Sequence, residues 1–338
     1  MNLLGKEKMM KSINKNENGI ALVVVLSALI FIGVITASIV VMSKVSAYSA
    51  KTVVDRDESS YFAESVMARA QWLLMYDKSM HTNRNLGQVS LDETIEHYLA
   101  DGVKHSITMN EIESEFAIYD MSAGYDISGK TPTKNLESML KIYNDEPDKR
   151  EELQTFLNRV KDYVDTNDLL RNNGFERTDY ANSELVPLPR NDIMQYREEI
   201  LFIPNFTDYF KIDDLGRLSG FTIIPPNGLR YSNKQINFFS ASKDTLSSKT
   251  SYDETQLNLI IEARDRWKNE KIPLSESLDP DVVGALKSKF SFKESGYYTL
   301  IIDTSVNAES AKRKLIVSFK GYKSIPKDGI QYYEWILY

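Results

Sequence analysis

The sequence predicts an α+β chain built on one long N-terminal helix. Three observations carry this. Residues 20–43 contain no charge, and a helical pattern continues from them to residue 76 without Pro or Gly after residue 43. The last forty residues hold three short segments rich in β-branched and aromatic residues, the composition of strands. Between these ends, apolar residues recur at helical spacing through a middle block of roughly 150 residues.

The apolar run comes first. Its twenty-four residues match the ~20 that a helix needs to cross roughly 30 Å of hydrocarbon. Ser27, Thr36, Ser38 and Ser43 are its polar members, and their hydroxyls can bond back to helix carbonyls. A cleaved secretory signal has a shorter apolar core and a small-x-small site after it, which this run lacks. Two readings stay open: a plain single-span anchor, and a prepilin-type signal cut before the apolar run. For the second, Gly19 and Ile20 form the junction, and Gly lets the backbone approach a peptidase closely. The preceding leader carries Lys6, Lys8, Lys11 and Lys15 against Glu7 and Glu17, a net charge of +2, which favours the cytoplasmic side.

Residues 44–76 read as an amphipathic continuation. Tyr61, Ala68 and Trp72 share one helical spacing, Phe62, Val66 and Leu73 another, and Asp55 to Glu58 read as a solvated middle. The predicted helix thus covers residues 20–76, on the order of 85 Å. Residues 105–119 predict two short strands, 135–164 a helical stretch, 255–267 a further helix, and 273–289 a loop with a short helix. Residues 297–303, 314–320 and 330–338 predict three antiparallel strands, packed on the apolar face of the N-terminal helix.

Composition excludes several functions. The net charge of −7 argues against a nucleic-acid partner, which needs a basic surface. With no cysteine there is no thiolate zinc site, thiol catalysis or disulfide. His81, His97 and His105 lack H-E-x-x-H spacing, and each reads as a surface residue. No G-x-S-x-G elbow, Walker loop or G-x-G-x-x-G is present, so no catalytic residue is assigned. The pairs Glu198-Glu199 and Asp213-Asp214 point to different sides of an element and do not form a dyad. One loop invites a metal: Asp165, Asn167, Asp168 and Glu176 offer oxygens close together, with Gly174 for a tight turn, and Ca²⁺ takes six to eight such ligands. Helix capping and a solvated turn are the ordinary reading of the same residues, since Asp and Asn at a helix end do that routinely.

Taken together, the Gly19 junction, the uncharged membrane half and the amphipathic half with Phe62-Ala63-Glu64-Ser65 resemble the type IV pilin-like helix. That superfamily usually has Glu as its fifth mature residue. Counted from Ile20, the fifth here is Val24, which is similar to the type II secretion system protein K family, large minor pseudopilins that lack the Glu. The middle of the chain follows the family's order: Tyr163-Val164-Asp165-Thr166-Asn167-Asp168, Gly174-Phe175-Glu176, Tyr180, Pro187-Leu188-Pro189-Arg190-Asn191, Glu198-Glu199-Ile200-Leu201 and Ile236-Asn237-Phe238-Phe239-Ser240-Ala241. Tyr163 replaces Trp, Asn167 an acid and Phe239 an Asn.

The resemblance implies a pilin-like domain with a large helical insertion. Its divisions would be a leader at 1–19, a transmembrane half-helix at 20–43, helix and first strands at 44–132, insertion at 133–289 and last strands at 290–338. It further implies cleavage by a prepilin peptidase after Gly19, methylation of Ile20, and calcium in the insertion. The mature chain would sit in the inner membrane with its C-terminal domain in the periplasm, and its partners would be the other minor pseudopilins and the major pseudopilin. Its role would be to cap the pseudopilus tip and start assembly. Two alternatives remain: a minor pilin of a type IV pilus or uptake machine, separated by gene neighbourhood, and a plain membrane-anchored periplasmic binding protein, separated by an uncut N-terminus.

Overall fold

The computed structural model describes residues 4–81, 86–87, 95–127, 129–185, 187–209, 221–222, 235–306, 311–321 and 330–338, without the side chains of 4–19, 135, 207, 209 and 221–222. The chain divides into two compact units, residues 1–59 with 306–312, and residues 60–305 with 313–338. Helix α1 is Leu4–Met80. It starts sixteen residues before the predicted start, because the Lys-, Glu- and Met-rich residues ahead of Ile20 are helix formers with no Pro among them.

In the first unit, α1 is long and apolar enough to cross a bilayer. Ile20, Val24, Phe31 and Val41 are all exposed. The hydroxyls of Ser27, Thr36 and Ser38 donate to the carbonyls of Val23, Ile32 and Val34 at 2.8, 2.8 and 2.9 Å, so these polar groups are satisfied within the helix. Further on, Asp55 is buried while Arg56, Asp57 and Glu58 are exposed, so one of the four residues read as solvated is not. Ser59, also buried, donates to the Asp55 carbonyl at 2.8 Å and accepts from the Val306 N–H at 3.1 Å.

In the second unit, the rest of α1 packs on a five-stranded antiparallel sheet ordered β1-β2-β5-β6-β7. The strands are β1 (Asp101–Met109), β2 (Ile112–Asp120), β5 (Tyr297–Thr304), β6 (Arg313–Lys320) and β7 (Tyr332–Leu337). The last three lie close to the predicted bounds. Asn110 and Glu111, both at positive φ, form the two-residue turn that joins β1 to β2, with Met109 paired to Ile112. Helix α1 buries Ala63, Val66, Ala70 and Leu74 against Phe116, Ile118, Leu300, Ile302, Leu315 and Val317. Each fully buried large apolar side chain contributes about 1.5–3 kcal/mol. The predicted face holds only in part. Val66 is buried, but Tyr61, Ala68 and Trp72 are exposed, because Ala63 and Ala70 are the small residues that let the sheet approach.

Between β2 and β5 the chain leaves the sheet. Its elements are β3 (Tyr125–Asp126), α2 (Thr133–Leu136), α3 (Pro147–Val164), α4 (Arg177–Asn182), α5 (Phe206–Tyr209), β4 (Phe221–Thr222), α6 (Lys243–Lys249), α7 (Glu254–Glu270), α8 (Leu274–Ser277) and α9 (Pro280–Lys289). The helix predicted over 135–164 is broken, since Pro147 starts α3 and pushes Glu146 out of helical geometry. Two apolar cores hold this block. Leu153, Phe156, Leu157 and Val160 of α3 gather around Tyr180, Met194 and Ile200. Phe238, Phe239, Leu257, Ile260, Trp267 and Leu286 form the other.

A carboxylate ties the departure of the chain from the sheet to its return. Asp120 ends β2 and is fully buried. It accepts from the Ser122 N–H at 2.8 Å, the Ser122 hydroxyl at 2.6 Å and the Ser295 N–H at 2.6 Å, two residues before β5. Asn237, also fully buried, donates to Asp120 at 3.5 Å and accepts from the N–H groups of Phe239 and Ser240 at 2.9 and 3.1 Å. Asn237 and Ser240 of the predicted motif are thus hydrogen-bonded structural residues. The histidines depart from expectation: His97 and His105 are buried, each against a carboxylate, and only His81 is partly exposed. Asp213 and Asp214 lie outside the described residues.

Candidate metal centre

The acidic centre is made where α3 ends and α4 begins. The last turn of α3 supplies Asp162, and its C-cap residue is Asp165. The chain then loops out and returns, and Glu176 is the N-cap of α4. Carboxylate oxygens of Asp162, Asp165 and Glu176 come within 4.8 Å of one another.

The loop is folded around Asp162. Its Oδ2 accepts from the N–H groups of Arg171 and Phe175 at 3.3 and 3.1 Å, and Oδ1 accepts from Arg171 Nη1 at 2.5 Å. Arg171 Nη1 also donates to Asp165. Gly174 is required here sterically, because a Cβ would run into the Asp162 carboxylate. The predicted role for Gly174, a tight turn, is therefore refined to a close approach.

Glu176 is the telling residue. It is 4% exposed, and although its side chain faces the Asp179 N–H in a capping box, neither buried carboxylate oxygen makes a full hydrogen bond. Burial, followed by the nearby charges of Asp162, Asp165 and Asp168, pushes its carboxyl up to about 7. A buried carboxylate with orphaned oxygens costs free energy unless a cation meets it. The donors are all oxygen, one ligand atom from each of three carboxylates, the chemistry of a hard cation such as Ca²⁺. The residues present fit that ion. Arg171, partly exposed, supplies a positive charge that pairs with both Asp162 and Asp165.

Of the four sequence-predicted ligands, Asp165 and Glu176 are brought together. Asn167 Oδ1 accepts from the Leu169 N–H at 2.9 Å and shapes the loop. Asp168 accepts from Asn191 Nδ2 at 2.9 Å, which anchors the loop to the Pro-rich segment. Asp162 was not predicted. It lies about 180° round α3 from Leu153, where a solvated acid is the ordinary reading, and only the returning loop buries it.

A second buried acid is structural. Glu199 accepts from the N–H groups of Gln195 and Tyr196 at 2.7 and 3.0 Å, from Arg190 at 3.3 Å and from the Tyr163 hydroxyl at 3.2 Å. Its neighbour Glu198 points outward, so the pair splits as predicted. Gly19 lies within α1, and neither Ile20 nor Val24 is buried.

Fold and centre together define a chain with, among the described residues, one helix long and apolar enough for a membrane, an α+β body and an inserted, mostly helical block with an oxygen-rich acidic centre. No protein-family profile and no curated protein sequence matches the chain. Among solved structures, it is similar to a chain of the GspK-GspI-GspJ complex from the enterotoxigenic Escherichia coli type 2 secretion system. The identity is 12% and the TM-score 0.47, over 83% of this chain and 97% of that chain.

Proposed function

We propose that this chain is a minor pseudopilin of a type II secretion system, a non-catalytic part that caps the pseudopilus tip and starts its assembly. The observation that carries the reading is the build of α1. An uncharged, exposed half that begins at Ile20 leads into a half that packs on an antiparallel sheet, with the block of residues 121–296 inserted between β2 and β5. Prepilin peptidase cuts after Gly19, and the basic leader stays on the cytoplasmic side, so the body lies in the periplasm.

Val24 explains the tip position. Cutting before Ile20 leaves an ammonium at the head of an apolar helix, where an unpaired charge is costly. In pilin-like filaments a Glu at the fifth position meets the ammonium of a neighbouring subunit. Val24 offers no carboxylate, so this chain suits a place with no subunit above it. A large insertion also leaves little room for lateral neighbours. Contacts then run through α1 to the other minor pseudopilins and the major pseudopilin.

The test is N-terminal sequencing of the protein from membranes. The expected first residue is Ile20, methylated; a mature chain that begins at Met1 overturns the reading. Val24→Glu should reduce secretion or change assembly order, and normal secretion by that variant would refute the charge argument.

The acidic centre fits the same reading. Asp162, Asp165 and Glu176 hold Ca²⁺, which supplies charge compensation and fixes the α3–α4 loop. The block then presents one stable surface to its partners.

A further inference from the structure

We propose a second metal site, for Zn²⁺, formed by Asp77, His81 and His97. The chain holds only three histidines and no cysteine, yet two of those histidines meet at one carboxylate. Asp77 and His81 lie one turn apart at the end of α1, joined by the His81 N–H to Asp77 carbonyl bond of 2.9 Å. His97 comes from the segment that leads into β1. Residues four apart on a helix share a face, the spacing by which a helix presents two metal ligands.

The distances suit a small cation. His97 Nδ1 lies 3.0 Å and His81 Nε2 3.8 Å from Asp77 Oδ1, and the three ligand atoms lie within 4.8 Å of one another. Ligand atoms of a tetrahedral site with bonds of about 2.0–2.1 Å are roughly 3.3 Å apart, so small side-chain movements complete the cage. The two rings already meet edge to face, with centroids 4.8 Å apart.

The surroundings are those of a built site. Asp77 Oδ2 accepts from the Tyr98 N–H at 3.0 Å, which fixes the carboxylate and turns Oδ1 toward the imidazoles. The Asp77 and His97 side chains are 4% and 3% exposed, while that of His81 is 36% exposed and leaves the site open to solvent. Without metal, His97 Nδ1 donates to Asp77; binding through Nδ1 needs the tautomer with its proton on Nε2. Two imidazoles and one carboxylate favour a borderline cation over Ca²⁺, with water in the fourth position. The ion would join the last turn of α1 to the segment entering β1, at the edge of the helix–sheet core that holds Leu74 and Ala100.

The test uses the full chain in detergent, made without a histidine tag and stripped of metal, and titrates it with Zn²⁺. One Zn²⁺ per chain is expected, unaffected by Ca²⁺ and by Glu176→Gln. Co²⁺ should give the strong visible bands of tetrahedral coordination. His81→Gln, at a half-exposed position, should weaken Zn²⁺ binding by roughly 10-fold or more, and His97→Gln likewise. Three results would overturn the proposal: no Zn²⁺ bound by the wild type at about 100 µM, unchanged binding in His81→Gln, or loss of the bound ion in Glu176→Gln. If His97→Gln fails to fold, His81→Gln alone decides.

Discussion

Glu176→Gln should make the protein more stable without calcium and less stable with it. The carboxyl is displaced from 4.5 to about 7 in the folded state. At about 1.4 kcal/mol per pH unit the full shift is about 3 kcal/mol, and screening by solvent and by Arg171 leaves on the order of 1–2 kcal/mol once the group ionises. The sign follows from proton binding. Between pH 4.5 and about 7 the folded chain keeps a proton that the unfolded chain has lost, so stability falls as pH rises through this window. Gln has nearly the same shape and no charge, so the loss disappears. In chelator at pH 8, Glu176→Gln should gain about 1–2 kcal/mol over the wild type, and the difference should vanish near pH 4. With Ca²⁺ at 100 times its Kd, the wild type gains about 2.7 kcal/mol and the variant almost nothing. Urea unfolding of the full chain in detergent, followed by the fluorescence of Trp72, Trp267 and Trp335, reads both arms. If chelator and Ca²⁺ give superimposable curves for the wild type, the centre holds no calcium. If the variant gains nothing in chelator at pH 8, Glu176 is not the strained acid described.

Three other substitutions probe the frame. Gly174→Ala should cost about 1–3 kcal/mol and blunt the calcium response, because its methyl group meets the Asp162 carboxylate; thermal melts with and without chelator check both effects. Asp120→Ala should cost about 3 kcal/mol or more, since the buried donors of Ser122 and Ser295 lose their acceptor. Limited proteolysis of that variant should cut near 121–125 or 291–296 first. Glu111→Gly should stabilise by about 0.5–1 kcal/mol, as Glu111 sits at positive φ in a turn that prefers Gly; an unchanged urea midpoint would refute this.

The elements were legible wherever one physical cause dominates. The apolar half of α1 needs no partner to be recognised, and β5 and β6, with their runs of Leu, Ile, Val and Phe, fit nothing but buried strands. The hidden face of α1 was not legible. It is lined by Ala63, Ala70 and Gln71 as well as Val66 and Leu74, so closeness of approach, not hydrophobicity, chose it. The larger side chains Tyr61 and Trp72, which dominate the apolar pattern, point away. The break before α3 went unread within the predicted 135–164 helix, although Pro147 marks it by its local effect on Glu146.

For the acidic centre the limit was topological. Asp165 and Glu176 stand out because a loop between helices with several acids invites a cation. Asp162 gives no such signal, because its burial comes from Arg171, Gly174 and Phe175 folding back over it from nine to thirteen residues away. Asp77, His81 and His97 show the same limit over a longer span, with the two imidazoles sixteen residues apart in sequence and on different elements. Local spacing reports what one element can present. A site assembled by a returning chain becomes visible only when burial strips a polar group of its water. The orphaned oxygens of Glu176 are that sign here, which is why its substitution, rather than that of the better-satisfied Asp165, separates a cation centre from a capped helix end.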